Sequence, residues 1–185
     1  NIRVPHEIRG SAETIYRTCF RGKVCSALIL SAPGRGKTTI LRDLTRLIAG
    51  RNLINILIND ERNEISAAYR DFSLDTGAFT DVIRYSNKKD AFTSAVRAMR
   101  PDLIITDELV SVEEIKWAAM CVRGGVEVIA SAHCRDAESM KGSPVLSEAL
   151  RENVFDYYIF LASDGIGQVS EIYDADWKRV AVKTI

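Results

Sequence analysis

The 185-residue chain has no excess of either charge, because 25 lysines and arginines balance 25 aspartates and glutamates. Without a net field the composition gives no support to a nucleic-acid partner, and none is expected. The chain also lacks the roughly 18 consecutive apolar residues of a membrane-spanning helix. Its four cysteines form no CxxC pair, which predicts reduced, buried thiols. These absences indicate a globular, cytoplasmic protein, and the length predicts one domain over 1–185.

Apolar runs alternate with amphipathic stretches along most of the sequence, and this alternation predicts an α/β fold. The predicted strands lie at 24–30, 52–58, 81–85, 103–106 and 126–130. The predicted helices lie at 7–20, 38–49, 88–99 and 111–122, with Gly50 ending the second. Strands at 155–162 and 168–173 predict an antiparallel hairpin, followed by a strand at 178–185. The expected architecture is a mostly parallel sheet flanked by helices, with antiparallel C-terminal strands.

A glycine-rich segment, Ser31-Ala-Pro-Gly-Arg-Gly-Lys-Thr38, joins the first predicted strand to the second predicted helix. Its spacing fits the P-loop pattern G-x-x-x-x-G-K-[ST], except that Ser31 takes the first glycine position and makes that bend slightly less permissive. Glycines let backbone N–H groups turn toward phosphate oxygens, and the following helix adds its positive end. We therefore expect ATP to bind here, with Lys37 on the outer phosphates and the Thr38 hydroxyl on Mg²⁺. The expected nucleotide-binding residues are Pro33, Gly34, Arg35, Gly36, Lys37, Thr38 and Thr39.

The apolar run at 103–106 ends in Asp107-Glu108, which supplies the acid that a P-loop site needs. An acid at the end of a buried strand holds Mg²⁺ beside the phosphates. Asp107 is therefore the expected metal residue together with Thr38, and Glu108 is a candidate for polarising the attacking water.

Two more polar groups follow predicted strands, where open α/β sheets bind their ligands. Asp60-Glu-Arg62 follows the second strand, and His133 follows the strand at 126–130. If these strands run parallel to the P-loop strand, both groups face the terminal phosphate. Glu61 then competes with Glu108 for the role of general base, and His133 contacts or senses the γ-phosphate. The expected catalytic residues are Lys37, Glu61, Glu108 and His133.

The segment Asn87-Lys-Lys-Asp90 matches the N-K-x-D element with which GTPases bind guanine. In GTPases that element follows the magnesium-site strand, whereas here it precedes Asp107. We therefore interpret the match as a coincidence, in which these side chains cap the helix that begins near Lys88. The resulting prediction is adenine preference or weak base selectivity.

Four segments in order resemble the stage III sporulation protein AA family, which is grouped with the traffic ATPases of secretion and pilus machines. The segments lie at 33–43, 59–65, 100–108 and 129–133. The resemblance covers nearly the whole chain and implies a RecA-like P-loop NTPase that hydrolyses ATP with Mg²⁺. It implies that Lys37 and Thr38 are the Walker A residues and that Asp107 and Glu108 form the Walker B end.

The resemblance further implies a homo-oligomer, typically a hexameric ring whose subunits carry an N-terminal domain before the ATPase domain. A chain that begins at Asn1 is then expected to lack that domain. It also implies a mother-cell ATPase at the inner face of the membrane, powering channel or secretion-complex proteins between mother cell and forespore. Secretion ATPases have an arginine after the Walker B strand that is absent here. The arginine that crosses the subunit interface is left open among Arg62, Arg70, Arg84 and Arg100.

Three other functions are compatible with the same P-loop. A nucleotide-gated assembly subunit with little hydrolysis would share every motif. A RecA- or helicase-like nucleic-acid motor would share the architecture, although the neutral charge and the lack of an aromatic-basic stripe speak against it. A small-molecule kinase would need an arginine-rich lid, and the segment 70–80 is too acidic and too short for one.

Overall fold

The computed structural model describes residues 8–68, 73–84 and 86–183. Its strands are β1 (Ala27–Ser31), β2 (Ile56–Asp60), β3 (Thr80–Arg84), β4 (Leu103–Glu108), β5 (Glu127–His133), β6 (Tyr157–Leu161) and β7 (Val169–Asp174). Its α-helices are α1 (Glu13–Ile15), α2 (Lys37–Asn52), α3 (Lys88–Ser94), α4 (Val112–Arg123), α5 (Ala137–Lys141) and α6 (Pro144–Arg151). Two π-helical segments, Tyr16–Phe20 and Ala95–Met99, continue α1 and α3.

One seven-stranded sheet runs through the molecule in the order β3-β2-β4-β5-β1-β6-β7. Neighbouring strands are parallel, except that β7 runs antiparallel to β6. The predicted α/β architecture with antiparallel C-terminal strands is therefore confirmed. Because parallel strands end on the same side, the segments that follow β1, β2, β4 and β5 meet along one border, which we call the carboxyl edge.

Helices cover both faces of the sheet and divide the apolar core in two. One core packs α1 and α2 against strand residues such as Ile29 and Ile105. The other packs α3, α4 and α6 against the intervening residues, such as Leu28 and Ile104. Successive strand residues point to opposite faces, so a strand covered on both sides is apolar at nearly every position. This explains the unbroken apolar runs of the sequence.

Element boundaries in the N-terminal half differ from the predicted ones. Residue 7 lies outside the described residues, 8–12 are not helical, and the first helix begins at Glu13. Gly50 does not end α2, which continues to Asn52, because one glycine costs a helix interior only about 1 kcal/mol. Leu53 then ends the helix in the left-handed region with φ of 52°. The longer helix displaces the strand predicted at 52–58 to the later bounds of β2.

The C-terminal half contains two helices that were not predicted, α5 and α6. Asp136 and Ser143 cap their first turns and Pro144 opens α6, all of which are helix-start signals. The strand predicted at 178–185 is wrong for the described residues, where Arg179 forms a single bridge with Tyr173. Residues 181–183 are exposed and so gain no burial from pairing, and 184–185 lie outside the described part.

The two expectations drawn from composition concern thiols and membrane spans. All four cysteines are free and buried, as predicted. Burial raises the pKa of Cys19 to about 12, which leaves its thiol protonated and unreactive at neutral pH. Within the described ranges, no helix has both the length and the apolar character needed to cross a membrane.

Candidate functional site

The carboxyl edge brings together side chains that are far apart in the sequence. The glycine-rich loop follows β1, His133 ends β5, Asp107 and Glu108 end β4, and Asp60 ends β2. Since β5 and β4 lie between β1 and β2, these groups form a row from the glycine-rich loop to the acidic turn. The four motifs of the sequence therefore share one border of one sheet.

The glycine-rich loop has a left-handed backbone at two of its glycines. Gly34 and Gly36 have φ of 74° and 88°, a region that other residues rarely adopt. Gly36 is also the N-cap of α2, so the loop leads into a helix N-terminus, whose first N–H groups lack intrahelical partners and suit an anion. The remaining loop residues range from exposed to half-buried: Pro33, Arg35, Thr38 and Thr39.

The turn of the β6–β7 hairpin lies against the glycine-rich loop. The Gly167 N–H donates a hydrogen bond of 3.0 Å to the Arg35 carbonyl oxygen. A Cβ atom at Gly36 would lie 3.2 Å from Ile166 Cγ2 and 3.3 Å from Gly167 N. Close packing as well as backbone conformation therefore favours glycine at position 36. The sequence indicated the hairpin but not this contact.

Ser31, which replaces the first glycine of the pattern, lies within β1 rather than in a strained bend. It is buried, and its φ is not positive. Its carbonyl and hydroxyl oxygens accept hydrogen bonds from Lys37 Nζ at 3.3 Å and 3.4 Å. The expectation of a less permissive bend is therefore wrong, because the strand needs no left-handed residue at this position and serine adds a contact to Lys37.

Lys37, His133 and Glu108 form a continuous chain of polar contacts. Lys37 Nζ lies 2.9 Å from His133 Nδ1, and His133 Nε2 lies 2.9 Å from Glu108 Oε1. A lysine ammonium can only donate, so Nδ1 accepts, and Nε2–H donates to the carboxylate. The imidazole thus connects the first residue of α2 to the end of β4. Sequence reasoning placed these residues in one site without indicating that they touch.

The ammonium of Lys37 is partly removed from water in this chain. Burial lowers the pKa of Lys37, and the charge of Glu108 partly offsets that effect. Lys37 Nζ also donates to the carbonyl oxygens of Ser31 and Ala32, each 3.3 Å away. A buried cation with neutral acceptors around it is stabilised by an arriving anion, so the side chain suits a phosphate ligand.

A β-bulge in β4 separates its two terminal acids. Ile105 pairs with Ile129, whereas Glu108 pairs with Ser131, so β4 holds one extra residue between these pairs. Bulges re-aim side chains and are frequent beside functional sites. Glu108 contacts the His133 imidazole, while Asp107 Oδ1 lies 3.1 Å from Lys88 Nζ. The neighbouring carboxylates therefore have different partners.

Asp107 is buried without the hydrogen bonds that a buried carboxylate usually accepts. It is 9% exposed, and neither carboxylate oxygen accepts a well-directed hydrogen bond from the described residues. Its 3.1 Å contact with Lys88 is an ion pair rather than an aligned hydrogen bond. Burial raises the pKa of Asp107, and the charge of Lys88 partly lowers it. A cation at Oδ2 would stabilise this carboxylate.

Asp60, by contrast, shapes the turn that follows β2. Its Oδ1 accepts from the N–H groups of Glu64 and Ile65 at 2.8 Å and 3.0 Å. Its Oδ2 accepts from the Ser66 N–H at 2.8 Å and the Ser66 hydroxyl at 2.6 Å. Arg42 of α2 holds the same turn by donating to the Ile65 carbonyl oxygen at 2.6 Å. Four hydrogen bonds give Asp60 a structural role.

Lys88 is a residue of this edge that sequence reasoning missed. Its Nζ lies 2.7 Å from Glu61 Oε2, 3.1 Å from Asp107 Oδ1 and 3.7 Å from Glu114 Oε1. Glu61 therefore lies in the site, as the partner of a lysine rather than of His133. Hydrogen bonding to Glu61 and the charge of Asp107 raise the pKa of Lys88 against the lowering effect of burial, which is the largest single contribution.

The segment that contains Lys88 also caps its helix, as predicted. Asn87 Oδ1 accepts a hydrogen bond of 2.9 Å from the Asp90 N–H. The interpretation as a helix cap is confirmed, but it overlooked the lysine between these two residues. A usable signal was present, because α3 begins shortly after β3, whose carboxyl end lies on the same border of the sheet.

The donors at this edge suit Mg²⁺ only in combination with other ligands. Among the described residues, no group of three or more His, Cys, Asp or Glu side chains is arranged to hold a metal ion. Mg²⁺ is commonly held by one or two carboxylates together with substrate phosphates and water. Asp107, with Oδ2 unpaired among the described residues, and the Thr38 hydroxyl at the first turn of α2 fit that pattern.

The arginines left open for a subunit interface are spread over the fold. Arg62 lies 3.8 Å from Glu108 of the same chain. Arg84 donates to a main-chain carbonyl oxygen at 3.1 Å. Arg100 caps the helix before β4 and so lies at the opposite border of the sheet, while Arg70 lies outside the described residues. Of the described candidates, Arg62 approaches the acids of the site.

Comparison with known proteins gives relatives along most of the chain. The family described as "Sporulation stage III, protein AA" matches residues 1–180. Stage III sporulation protein AA of Bacillus subtilis (strain 168) is 33% identical over 182 residues, which are 95% of this chain and 59% of that protein. Protein SEEDLING PLASTID DEVELOPMENT 1 of Arabidopsis thaliana is 30% identical over 146 residues, which are 78% of this chain and 21% of that protein. The chain thus spans less than two thirds of these relatives.

Solved structures of secretion and pilus ATPases share the fold. The VirB11 ATPase of the Brucella suis type IV secretion system, solved with sulphate, matches with a TM-score of 0.62 and 18% identity over 82% of this chain and 48% of that chain. The pilus retraction motor PilT, solved with ADP, matches with a TM-score of 0.55 and 15% identity over 88% of this chain and 49% of that chain. The predicted RecA-like architecture of secretion ATPases is confirmed. With the family match over 1–180, the chain belongs to the stage III sporulation protein AA family.

Proposed function

We propose that this chain binds ATP with Mg²⁺ at the carboxyl edge and hydrolyses it as the motor subunit of a secretion-like assembly. The chain of contacts from Lys37 through His133 to Glu108 carries the proposal, with links of 2.9 Å each. It joins the group that would bind the outer phosphates to a carboxylate that would accept a proton from water. A site for phosphoryl transfer to water needs these two parts within reach of each other.

The phosphates would lie over the glycine-rich loop, where the N–H groups of the first turn of α2 would donate hydrogen bonds to their oxygens. Lys37 would leave its carbonyl partners for the terminal phosphate, which offers charged oxygens in their place. Thr38 and Asp107 would hold Mg²⁺, which neutralises charge that develops on the phosphate oxygens. His133 would then be free to contact the γ-phosphate.

Glu108 is the better placed of the two candidate general bases. It is linked to Lys37 through one imidazole, and it ends β4, which lies nearer to β1 than β2 does. Glu61 follows β2, which lies farther from β1, and it is held by Lys88 at 2.7 Å. We therefore assign proton abstraction to Glu108 and a supporting role to Glu61.

The experiment is ATP turnover with Mg²⁺ by the purified chain, beside Lys37→Ala, Glu108→Gln and Glu61→Gln. We expect Lys37→Ala to abolish turnover and Glu108→Gln to lower it by roughly 10²- to 10⁴-fold, the usual contribution of a general base. Glu61→Gln is the matched control, with a smaller loss. A larger loss of turnover in Glu61→Gln than in Glu108→Gln would identify Glu61 as the general base. Absence of nucleotide binding would overturn the proposal.

The assembly around this site is also a proposal. We infer that the subunits form a homo-oligomeric ring, which is typically a hexamer in the family that the motifs resemble. Each subunit would also carry an N-terminal domain before the ATPase domain. The ring would act at the inner face of the membrane on the mother-cell side, with channel proteins as partners. Arg62 is our candidate for the arginine at the neighbouring subunit's nucleotide. Turnover that rises faster than linearly with protein concentration is expected, and strictly linear turnover would argue against shared sites.

A nucleotide-gated subunit with little hydrolysis is a second candidate, favoured by one observation. Both candidate bases are engaged in this chain, Glu108 by His133 at 2.9 Å and Glu61 by Lys88 at 2.7 Å. A base held in this way is not available to water until the contact opens. Tight ATP binding with turnover that neither Glu→Gln change alters would support this candidate.

A further inference from the structure

Lys88 occupies a pocket of carboxylates beside the strand that ends in the Walker B acids. It is 5% exposed, and its ammonium contacts Glu61, Asp107 and Glu114 at 2.7 Å, 3.1 Å and 3.7 Å. A buried lysine loses much of its hydration and several rotamers, so such a position requires compensation from partners. These partners come from β4, from α4 and from the turn after β2, and Lys88 ties the three together.

The contacts of each carboxylate show what the lysine does. Glu114 is already used for capping α4, because its Oε2 accepts from the N–H groups of Val110 and Ser111 at 2.5 Å and 3.1 Å. Asp107 has no well-directed hydrogen bond from the described residues, so Lys88 is its main compensation. The ammonium of Lys88 therefore supplies the positive charge that the buried Asp107 carboxylate requires.

We propose that Lys88 is an internal counter-cation that keeps free divalent ions away from Asp107 until a nucleotide brings phosphate oxygens to the site. The proposal rests on the proposed function, since it takes Asp107 as the acid that holds Mg²⁺. A positive charge 3.1 Å from Oδ1 repels a second cation at the same carboxylate. Phosphates add negative charge and further oxygen ligands, which outweigh this repulsion.

The consequence is that the chain binds Mg²⁺ together with nucleotide and not before it. Removing the ammonium changes the order in which the metal and the nucleotide bind, because Glu61 and Asp107 then face each other without a cation between them. Two carboxylates left in this way attract a divalent ion strongly. Lys88 is thus a positioning residue for the acids. Replacing it is expected to change the affinity of the nucleotide-free chain for a metal ion, which replacing a purely structural lysine would not do.

The experiment measures Mn²⁺ binding to the nucleotide-free chain by the paramagnetic resonance signal of free Mn²⁺. We expect Lys88→Met and Lys88→Gln to bind one Mn²⁺ at least about tenfold more tightly than the unaltered chain, because the ammonium 3.1 Å from Asp107 Oδ1 no longer repels the ion. Lys88→Arg keeps the charge and is expected to bind Mn²⁺ as weakly as the unaltered chain. Lys89→Met, at the exposed neighbouring position, is the matched control with no expected change.

Two results would overturn the inference. One is unchanged Mn²⁺ affinity in folded Lys88→Met or Lys88→Gln, with folding checked by thermal unfolding. The other needs no variant: binding of Mn²⁺ alone by the unaltered chain with Kd tighter than about 10⁻⁵ M, as dedicated cages achieve. Adding Asp107→Asn to Lys88→Met should remove the gained site. If the gain appears while the chain neither binds nor hydrolyses ATP, the proposed function fails together with the nucleotide-dependent part of the inference, and only the repulsion of free divalent ions by Lys88 stands.

Discussion

Two aspartates end neighbouring parallel strands at the carboxyl edge, yet their surroundings differ completely. Asp60 at the end of β2 accepts four hydrogen bonds from the turn that follows it. Asp107 at the end of β4 accepts no well-directed hydrogen bond from the described residues and has a lysine ammonium beside it. Both are buried, so burial does not distinguish them.

The difference lies in the donors that each local backbone supplies. The turn after β2 folds back around Asp60, because consecutive N–H groups at 64–66 point at one carboxylate. The segment after β4 leads into the capping box of α4, whose N–H groups are satisfied by Ser111 and Glu114. A carboxylate with all its donors stabilises a fold, whereas one without them costs stability, which agrees with the ligand role that we propose for Asp107.

The largest expected effect in this comparison belongs to Asp107→Asn. We expect ATP turnover to fall by roughly 10²- to 10³-fold, as for the loss of one electrostatic group at a reacting phosphate. The melting temperature should change little, because the substitution removes a buried charge that lacks hydrogen-bond donors, while Lys88 keeps Glu61 as its partner at 2.7 Å. An ATP turnover assay measures the first of these effects, and thermal unfolding measures the second. A large loss of stability with normal turnover would exchange the roles of the two aspartates.

Asp60→Ala is expected to affect stability more than turnover, the opposite of Asp107→Asn. It leaves the N–H groups at 64–66 and the Ser66 hydroxyl without their acceptor, and we expect a loss of about 3 kcal/mol in the free energy of unfolding. Urea denaturation measures it. Arg62→Ala, two residues later and exposed, is the control and should cost less than about 1 kcal/mol. Equal losses in both would mean that the turn does not depend on Asp60.

The two glycines of the glycine-rich loop extend the comparison to the other end of the edge. Gly34→Ala and Gly36→Ala both place a side chain at positive φ, which costs about 1–2 kcal/mol. Only position 36 adds close contacts, with Ile166 at 3.2 Å and Gly167 at 3.3 Å. We expect Gly36→Ala to lose about 1 kcal/mol more than Gly34→Ala in chemical denaturation. Equal losses of stability in the two variants would show that the hairpin turn shifts to accommodate the added methyl group at no cost.

The smallest effect is expected far from the edge, at Glu13. Hydrogen bonds from Arg51 and Arg17 hold the pKa of Glu13 below its usual value. The resulting stabilisation is present at neutral pH and is lost as the pH falls from the usual glutamate pKa through the lowered one. Glu13→Gln should be less stable than the unaltered chain by about 0.5 kcal/mol at pH 7, and equally stable below that window. A constant difference across pH would assign the loss to packing.

The sequence predicted the fold well because its signals are local. Apolar runs mark the strands buried on both faces, and the glycines at 34 and 36 mark a loop that other residues cannot form. Errors occurred where competing local signals were close in energy, as at Gly50, where the helix continues past a glycine. The strand predicted at 178–185 failed over its described residues because local residue types do not show whether a partner surface exists.

The site was predicted unevenly for the same reason. Motif spacing named Lys37, Asp107, Glu108 and His133 as members of one edge, but not the contacts among them. Lys88 was missed because its segment was interpreted only as a helix cap, while its contacts with residues 61, 107 and 114 arise from the tertiary structure. A side chain's protonation and its partner depend on such distant groups.

By itself, the sequence determined which residue types stand at the strand ends and which backbone conformations its glycines permit. Both follow from covalent geometry and from the burial of neighbouring apolar residues. Only the tertiary structure decided that Asp60 is enclosed by donors, that Asp107 faces Lys88 instead, and that His133 bridges Lys37 and Glu108. Hydrogen bonds and charge pairs act over a few ångströms, and the strand order brings residues within that range.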